Sequence, residues 1–273
     1  MGEPGIHPTA IIESGAQLAA DVSVGAYAFI GARVMLGAGC VIHHHATVEG
    51  WTTLGPANEV FPYAYLGGRT QDKKWTGEEA PIHVGQGNIF REFCTVHPAT
   101  FADRETRIGD HNLFSAYSHL AHESMVGSHC VFSNNATLGG HVTVEDYAVI
   151  GGLTGIHQHC RVGRYAMVGG CMRITQDVLP YMLVGGETAA HRGVNKVGLG
   201  RHCFSEADIA LAQRIYKLLF RNGLNLSEAV DTLRTGEFAE QRIASKIAQF
   251  ITESGRGILR SGDGKPGGDD GEW

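Results

Sequence analysis

A bulky apolar residue recurs at every sixth position of this chain. From Ile6 the register runs Ile12, Leu18, Val24, Ile30, Leu36, Ile42, Val48, Leu54 and Val60. It returns at Val84, Phe90 and Val96, then runs Ile108, Phe114, Leu120, Val126, Phe132, Leu138, Val144, Ile150, Ile156, Val162, Val168 and Ile174. Neither interruption loses the phase. An amphipathic helix repeats near 3.6 residues and a half-buried strand near two, so neither produces this period. A six-residue period predicts an all-β parallel solenoid, in which short strands and corners alternate and stacked coils share one core.

The other positions of the hexad agree. Directly after the apolar residue stands Gly at 25, 31, 37, 55, 85, 109, 127, 139, 151, 163 and 169. A corner there needs either an unusual φ or the absence of a Cβ. Four places after the apolar residue the side chain is small, as at Ala28, Cys40, Ala46, Cys130, Ala136, Ala148, Thr154, Cys160 and Ala166. That suits an inward site in a narrow prism. Each hexad reads as one flat strand and one corner, and three hexads as one triangular coil of about 18 residues.

The repeat assigns residues 1–188 to the solenoid, with insertions at 61–81 and 97–107. Solenoid insertions project from one face, often the binding face. The first carries Asp72, Lys74 and Trp75 and is expected to be functional. Residues 189–260 turn helical and form a small α-helical C-terminal domain. Ser205 is the expected N-cap of a helix with an apolar stripe of Ile209, Ala212, Ile215, Tyr216 and Leu219, stopped by Gly223. Ser227 is expected to open a second helix, and 237–253 to hold a third. Residues 261–273 are polar and Gly-rich and read as a flexible tail.

Composition narrows the function classes. A net charge of −6 argues against general nucleic-acid binding. There is no basic-plus-apolar leader and no long apolar run, so no membrane span and a cytoplasmic location are expected. The six cysteines form no C-x-x-C pair, and Cys40, Cys94, Cys130 and Cys160 fall on the small inward position. They read as reduced core thiols, neither disulfides nor metal ligands.

Fifteen histidines are the candidate chemistry. His43, His44 and His45, with His7, His83 and His111, read as surface or inter-subunit residues. The segment Ser118-His119-Leu120-Ala121-His122-Glu123 differs. Leu120 points inward, so His122 points out, with a carboxylate beside it. A neutral imidazole is the natural general base near pH 7, and an adjacent acid orients it. Gly139-Gly140-His141 follows about one coil later, and Gly152-Leu153-Thr154-Gly155-Ile156-His157-Gln158 about one coil after that. Stacking then predicts that His122, His141 and His157 share one outer face.

These segments, with Asn134-Asn135-Ala136-Thr137-Leu138-Gly139-Gly140-His141 and Val168-Gly169-Gly170-Cys171, resemble the acyl-[acyl-carrier-protein]–UDP-N-acetylglucosamine O-acyltransferases of lipid A synthesis, over residues 6–260. The resemblance implies a left-handed β-helix; the period alone does not fix the hand. It implies His122 as general base with Glu123 beside it, and the Gly140 N–H as oxyanion donor. Asp72, Lys74, His119, His141, Gly152, His157 and Gln158 would contact sugar or acyl-phosphopantetheine. Asn195 and Arg201 would hold the nucleotide. Gly170 matches the position that sets acyl length, with room for a longer chain unless Met172 and Arg173 narrow the groove. No cofactor is implied beyond the phosphopantetheine of the carrier protein, and no metal. The partners implied are acyl carrier protein, a UDP-sugar and two further copies in a homotrimer.

Three positions depart from the family pattern: Glu123 where Asp is common, Val197 in place of an acid, and His202 in place of a second Arg. They put the nucleotide contacts in question, and they leave open a 3-amino sugar acceptor or a weakly active paralogue serving as a scaffold. Arg161, Arg164, Arg173, Arg192, Lys196 and Arg201, with Arg214, Lys217 and Arg221, make a locally basic stretch suited to an acidic carrier. A γ-type carbonic anhydrase would need three histidines on one zinc, such as His119, His122 and His141. It would leave the Gly-Gly element and the Asn/Arg set without a task. The later N-acyltransferase of the same pathway usually bears an extra N-terminal domain, and here the hexads begin at residue 6.

Overall fold

The computed structural model describes residues 5–262. The expected tail falls mostly outside them. Short strands, most of two residues, alternate with corners and stack into three sheets of nine, eight and ten strands, parallel except for the last strand of the third, and these are the walls of a prism. The nine-stranded wall contains Thr95–Val96, His119–Leu120, Thr137–Leu138, Gly155–Ile156 and Arg173–Ile174. Strands pair with those 18 residues on, as Phe29 with Thr47 and Leu120 with Leu138. Across the first insertion the step is 30, from Leu54 to Val84, and across the second it is 24, from Val84 to Ile108. The insertions therefore add twelve and six residues, which is why the register survives them.

The hexad aliphatics and small residues line the prism interior. Phe90, Phe114 and Phe132 are fully buried and stack with centroids 4.9 and 4.8 Å apart. Cys40, Cys94, Cys130 and Cys160 are free, buried thiols, and burial pushes Cys94 up to about 12. Next to the insertions the small inward site is Asn instead. Asn58 Oδ1 accepts from the N–H and Nδ2 of Asn88, and Asn88 Oδ1 accepts from those of Asn112. This buried ladder ties together the coils that the insertions separate.

Of the two reasons for glycine after the apolar residue, only the missing Cβ holds. A Cβ on Gly37 would lie 2.6 Å from the carbonyl carbon of Gly55, and one on Gly151 2.4 Å from that of Gly169. Coils approach too closely for any side chain there. The left-handed backbone sits two residues later, mostly at non-glycine positions. Tyr27, His45, Glu123, His141, Tyr147 and His159 all have φ between +53° and +63°. At many of these corners the turning residue is aromatic or histidine and stacks on its neighbour one coil away, as Tyr63 on Phe93, Phe93 on Tyr117 and Tyr147 on Tyr165.

Three boundaries differ from expectation. Tyr65–Leu66 is a strand with Leu66 buried, so the first insertion begins after it and not at 61. Pro62 does not end the repeat, because it falls at a corner where no ladder N–H is needed. Ala190–Val194 is a strand, paired antiparallel with Met182–Gly185, so helix begins only at α1, Lys196–Arg201. The third difference is the cap of α3, Leu226–Leu233: it is Asn225, in a capping box with Glu228, and not Ser227.

Before α3 comes α2, Glu206–Arg221, and Ser205 caps it in a box with Asp208 as expected. After it comes α4, Arg242–Thr252. The helices bury Ala212, Ile215, Leu219, Ile247 and Phe250 in a second apolar cluster that includes Tyr181 and Met182 of the prism. No helix among the described residues is long and apolar enough to cross a membrane.

Candidate active site

The site forms where the nine-stranded wall turns a corner. His119 and Leu120 are its strand, and Leu120 points inward. His122 follows on the outside, and Glu123 turns the corner with φ +53°. That turn folds the Glu123 carboxylate back onto His122, where Oε2 meets Nδ1. Glu123 is 6% exposed, so this is a buried acid held by hydrogen bonds. A carboxylate only accepts, so Nδ1 carries the hydrogen and Nε2 presents its lone pair. On the Nε2 side, Asp72 Oδ2 lies 4.0 Å away, a neighbour beyond direct hydrogen-bond range.

Both insertions contribute. Asp72 Oδ1 accepts from the Lys74 N–H at 3.0 Å, and Asp72 Oδ2 accepts from Thr100 Oγ1 at 3.2 Å. These contacts, the Lys74 N–H first, hold the Asp72 carboxyl below the usual range, with the His122 ring adding to the effect. The Thr100 N–H donates to Glu123 Oε1 at 3.0 Å.

Gly140 explains itself once His122 is placed. A Cβ there would lie 2.3 Å from Cε1 of the His122 ring. The ring packs on bare backbone, and among the described residues the buried Gly140 N–H donates no hydrogen bond. It is available to a ligand. The His141 ring stands edge-on to His122 at 5.2 Å, and His141 stacks on His159 at 4.4 Å. Burial, with His122 nearby, holds His119 below its ordinary value and pushes His97 down to about 4. Both shifts favour the neutral imidazole at pH 7.

The other expected residues are partly gathered here. His119 Nδ1 bonds Thr95 Oγ1 at 2.7 Å, on the outer face of the same wall. His157 and Gln158, both exposed, lie one coil from the Gly139-Gly140 corner, where a Cβ on Gly139 would meet the Gln158 nitrogen at 2.8 Å, and His157 is 3.2 Å from Arg256. The residue stacked beneath His141 is His159, which the sequence reading passes over although it stands 18 positions on. His97, Thr100 and Arg256 are also new. His97 is buried, and its Nδ1 has no partner among the described residues. Gly152 and Gly170 lie at the opposite edge of the wall, one above the other, where a Cβ on Gly170 would meet the Gly152 carbonyl oxygen at 3.1 Å.

Asn195 and Arg201 are elsewhere. Asn195 caps α1: its Oδ1 accepts from the Gly198 N–H at 3.0 Å and its Nδ2 donates to the Tyr165 carbonyl at 2.9 Å. Arg201 is exposed at the end of α1, and His202 packs edge-on to Tyr147 and Tyr165 at another corner of the prism. A single chain does not bring this set to His122. In the basic stretch, Arg161, Arg164 and Arg214 are paired with acids. Arg173, Lys196 and Arg201 are exposed.

His122, Glu123 and His141 place ligand-type atoms within 4.8 Å of one another. They are a metal-competent set on spacing alone, although Glu123 already occupies Nδ1 of His122. His119 is not part of it, so the three-histidine zinc set of a carbonic anhydrase does not form among the described residues.

Comparison with known proteins covers the same ground. Residues 177–259 match the family model described as UDP N-acetylglucosamine O-acyltransferase, domain 2. The acyl-[acyl-carrier-protein]–UDP-N-acetylglucosamine O-acyltransferase of Akkermansia muciniphila is 47% identical over 256 residues, covering 93% of this chain and 99% of that protein. That of Syntrophobacter fumaroxidans is 41% identical over 257 residues with the same coverage. Among solved structures, the UDP-N-acetylglucosamine acyltransferase of Campylobacter jejuni superposes with a TM-score of 0.88 at 38% identity, covering 94% of this chain and all of that one. The enzyme of Francisella novicida gives 0.91 at 31% identity, with 95% of each chain covered. The prism is therefore a left-handed β-helix. The chain belongs to the acyl-[acyl-carrier-protein]–UDP-N-acetylglucosamine O-acyltransferase family and is an acyltransferase.

Proposed function

We propose that this chain transfers a 3-hydroxyacyl group from acyl carrier protein to the 3-hydroxyl of the glucosamine in UDP-N-acetylglucosamine, the first step of lipid A synthesis. The observation that carries the mechanism is His122, hydrogen-bonded through Nδ1 to a buried carboxylate and packed against Gly140, whose N–H donates no hydrogen bond among the described residues. Nε2 takes the hydroxyl proton as the sugar oxygen attacks the thioester carbonyl. Glu123 holds the ring and stabilises the imidazolium that forms. The Gly140 N–H binds the tetrahedral oxyanion, a contact typically worth about 3 kcal/mol of barrier. The C–S bond then breaks, and the leaving thiolate of the carrier recovers the proton from His122. Ester and free carrier thiol are the products, and neither metal nor resident cofactor enters.

Asp72, Lys74, His119, His141, Gly152, His157 and Gln158 bind sugar and acyl-phosphopantetheine in this reading, and Gly170 leaves room for the far end of the chain. Asn195 acts through the turn it caps, and Arg201 contacts the nucleotide from a neighbouring protomer. Their separation from His122 within one chain supports a homotrimer with sites between subunits, working in the cytoplasm. Exposed Arg173, Lys196 and Arg201 are the first candidates for meeting the carrier.

Incubation of the purified protein with UDP-N-acetylglucosamine and a panel of 3-hydroxyacyl carriers, read by mass spectrometry, is expected to give one dominant acylated nucleotide. His122→Ala is expected to lower kcat by about 10²–10⁴-fold. Absence of product with every chain length overturns the assignment, and a product formed only on a 3-amino sugar redirects it.

A further inference from the structure

We propose that Thr100 is a positioning residue for the base, through the carboxylate of Asp72. It comes from the second insertion and is fully buried. Its hydroxyl donates to Asp72 Oδ2 at 3.2 Å, the same oxygen that lies 4.0 Å from His122 Nε2. Glu123 Oε2 is a poorer target for that hydroxyl, at 3.5 Å. Its backbone N–H donates to Glu123 Oε1 at 3.0 Å. One residue therefore holds the carboxylates that flank both nitrogens of His122.

The arrangement has a physical logic. Asp72 stands on an insertion whose own restraint on the carboxylate is the local turn to the Lys74 N–H. That bond fixes Oδ1 and leaves Oδ2 free to rotate. The Thr100 hydroxyl, anchored to the prism through Glu123, removes that freedom. Thr100 is anchored in turn because Thr106 Oγ1 donates to the His97 carbonyl at 2.8 Å, closing the second insertion. The two insertions thus meet at one hydroxyl, beside the atom that accepts the proton. Asp72 held there faces the same space as Nε2, where it can accept from a substrate hydroxyl or stabilise the imidazolium. A pre-set acceptor lowers the barrier because no reorientation is needed at the moment of reaction.

The inference rests on His122 as base, and the test separates the two. Initial rates with UDP-N-acetylglucosamine and the preferred acyl carrier are compared for the wild type, Thr100→Val, Thr100→Ser, Asp72→Ala, the double variant Thr100→Val/Asp72→Ala, and His122→Ala. Thr100→Val keeps shape and the backbone N–H but loses the hydroxyl. It is expected to lower kcat about tenfold to hundredfold, with KM for the nucleotide changed less than about threefold. Thr100→Ser should recover most of that loss. In the Asp72→Ala background, adding Thr100→Val should cost less than about threefold. If Thr100→Val does not fold, the recovery by Thr100→Ser is read against Thr100→Ala. Wild-type kcat in the Val or Ala variant, or an undiminished effect without Asp72, overturns the proposal while His122→Ala remains inactive. Wild-type kcat in His122→Ala overturns the underlying mechanism instead.

Discussion

Two histidines show how one side chain is put to opposite uses in this molecule. His122 sits at a corner of the prism with one carboxylate at Nδ1 and the Asp72 carboxylate 4.0 Å from its Nε2, beyond direct hydrogen-bond range. His191 sits under the helices with 0% exposure. Its Nδ1 donates to the Leu259 carbonyl at 2.8 Å, and its Nε2 accepts from the Leu179 N–H at 3.0 Å. Both nitrogens of His191 are spent on backbone, so it ties its own strand to the prism at Leu179 and to the segment at Leu259. Burial pushes its pKa down to about 4, and it is a neutral strut. A histidine with one nitrogen oriented by a carboxylate and the other unoccupied is built to exchange a proton. One with both nitrogens satisfied by backbone is built to hold position.

The contrast breaks most sharply at Gly140. Gly140→Ala places a methyl on the His122 ring and displaces it. It is expected to cut kcat about a hundredfold, since a misplacement near 1 Å has that cost, while the melting temperature changes little. Unchanged turnover would mean that the ring is not the base.

The strut should show in stability and not in rate. Below the unfolded value of 6.5, the unfolded chain takes up a proton that folded His191 refuses until about pH 4. Stability is therefore full above pH 6.5 and is lost as the pH falls toward 4, by up to about 3 kcal/mol. His97, also near 4, adds in the same direction. Urea midpoints at pH 7 and pH 4.5 measure this, and His191→Gln should be less stable at pH 7 but show the shallower pH slope.

The smallest effect belongs to the aromatic corner. Tyr147 stacks between His129 and Tyr165, each 4.7 Å away. Tyr147→Ala is expected to lose about 1 kcal/mol beyond its burial, with kcat unchanged. A fall in kcat would show that this corner takes part in chemistry as well as packing.

The inward half of the hexad was legible because burial demands the same residue type on every coil, and repetition amplifies the signal. The outward pairing of His122 with Glu123 was legible for a related reason: a fixed inward residue two positions earlier determines which way they point. The corners were not, because left-handed φ falls on Tyr, His, Glu or Leu alike and leaves no compositional trace. His159 repeats the spacing of His141 but sits in no motif that marks it. Thr100 and His97 lie in an insertion, where no period assigns a direction. The strand Ala190–Val194 escaped because its partner runs antiparallel, outside the repeat. The sequence marks Asn195 for the nucleotide but not for the cap of α1 and the bond to the Tyr165 carbonyl that its side chain makes within the chain.

That reversed strand has a consequence for the molecule in a crowded cell. A parallel stack with matching rungs invites another copy to continue it from its open end. Here the ten-stranded wall finishes with Ala190–Val194 running backward, and bridges from Asp177 to Ile258 and from His191 to Ser261 lay residues 258–261 over the same end. An incoming coil meets a rung of the wrong polarity, so the fold carries its own terminator against fibre growth from that end.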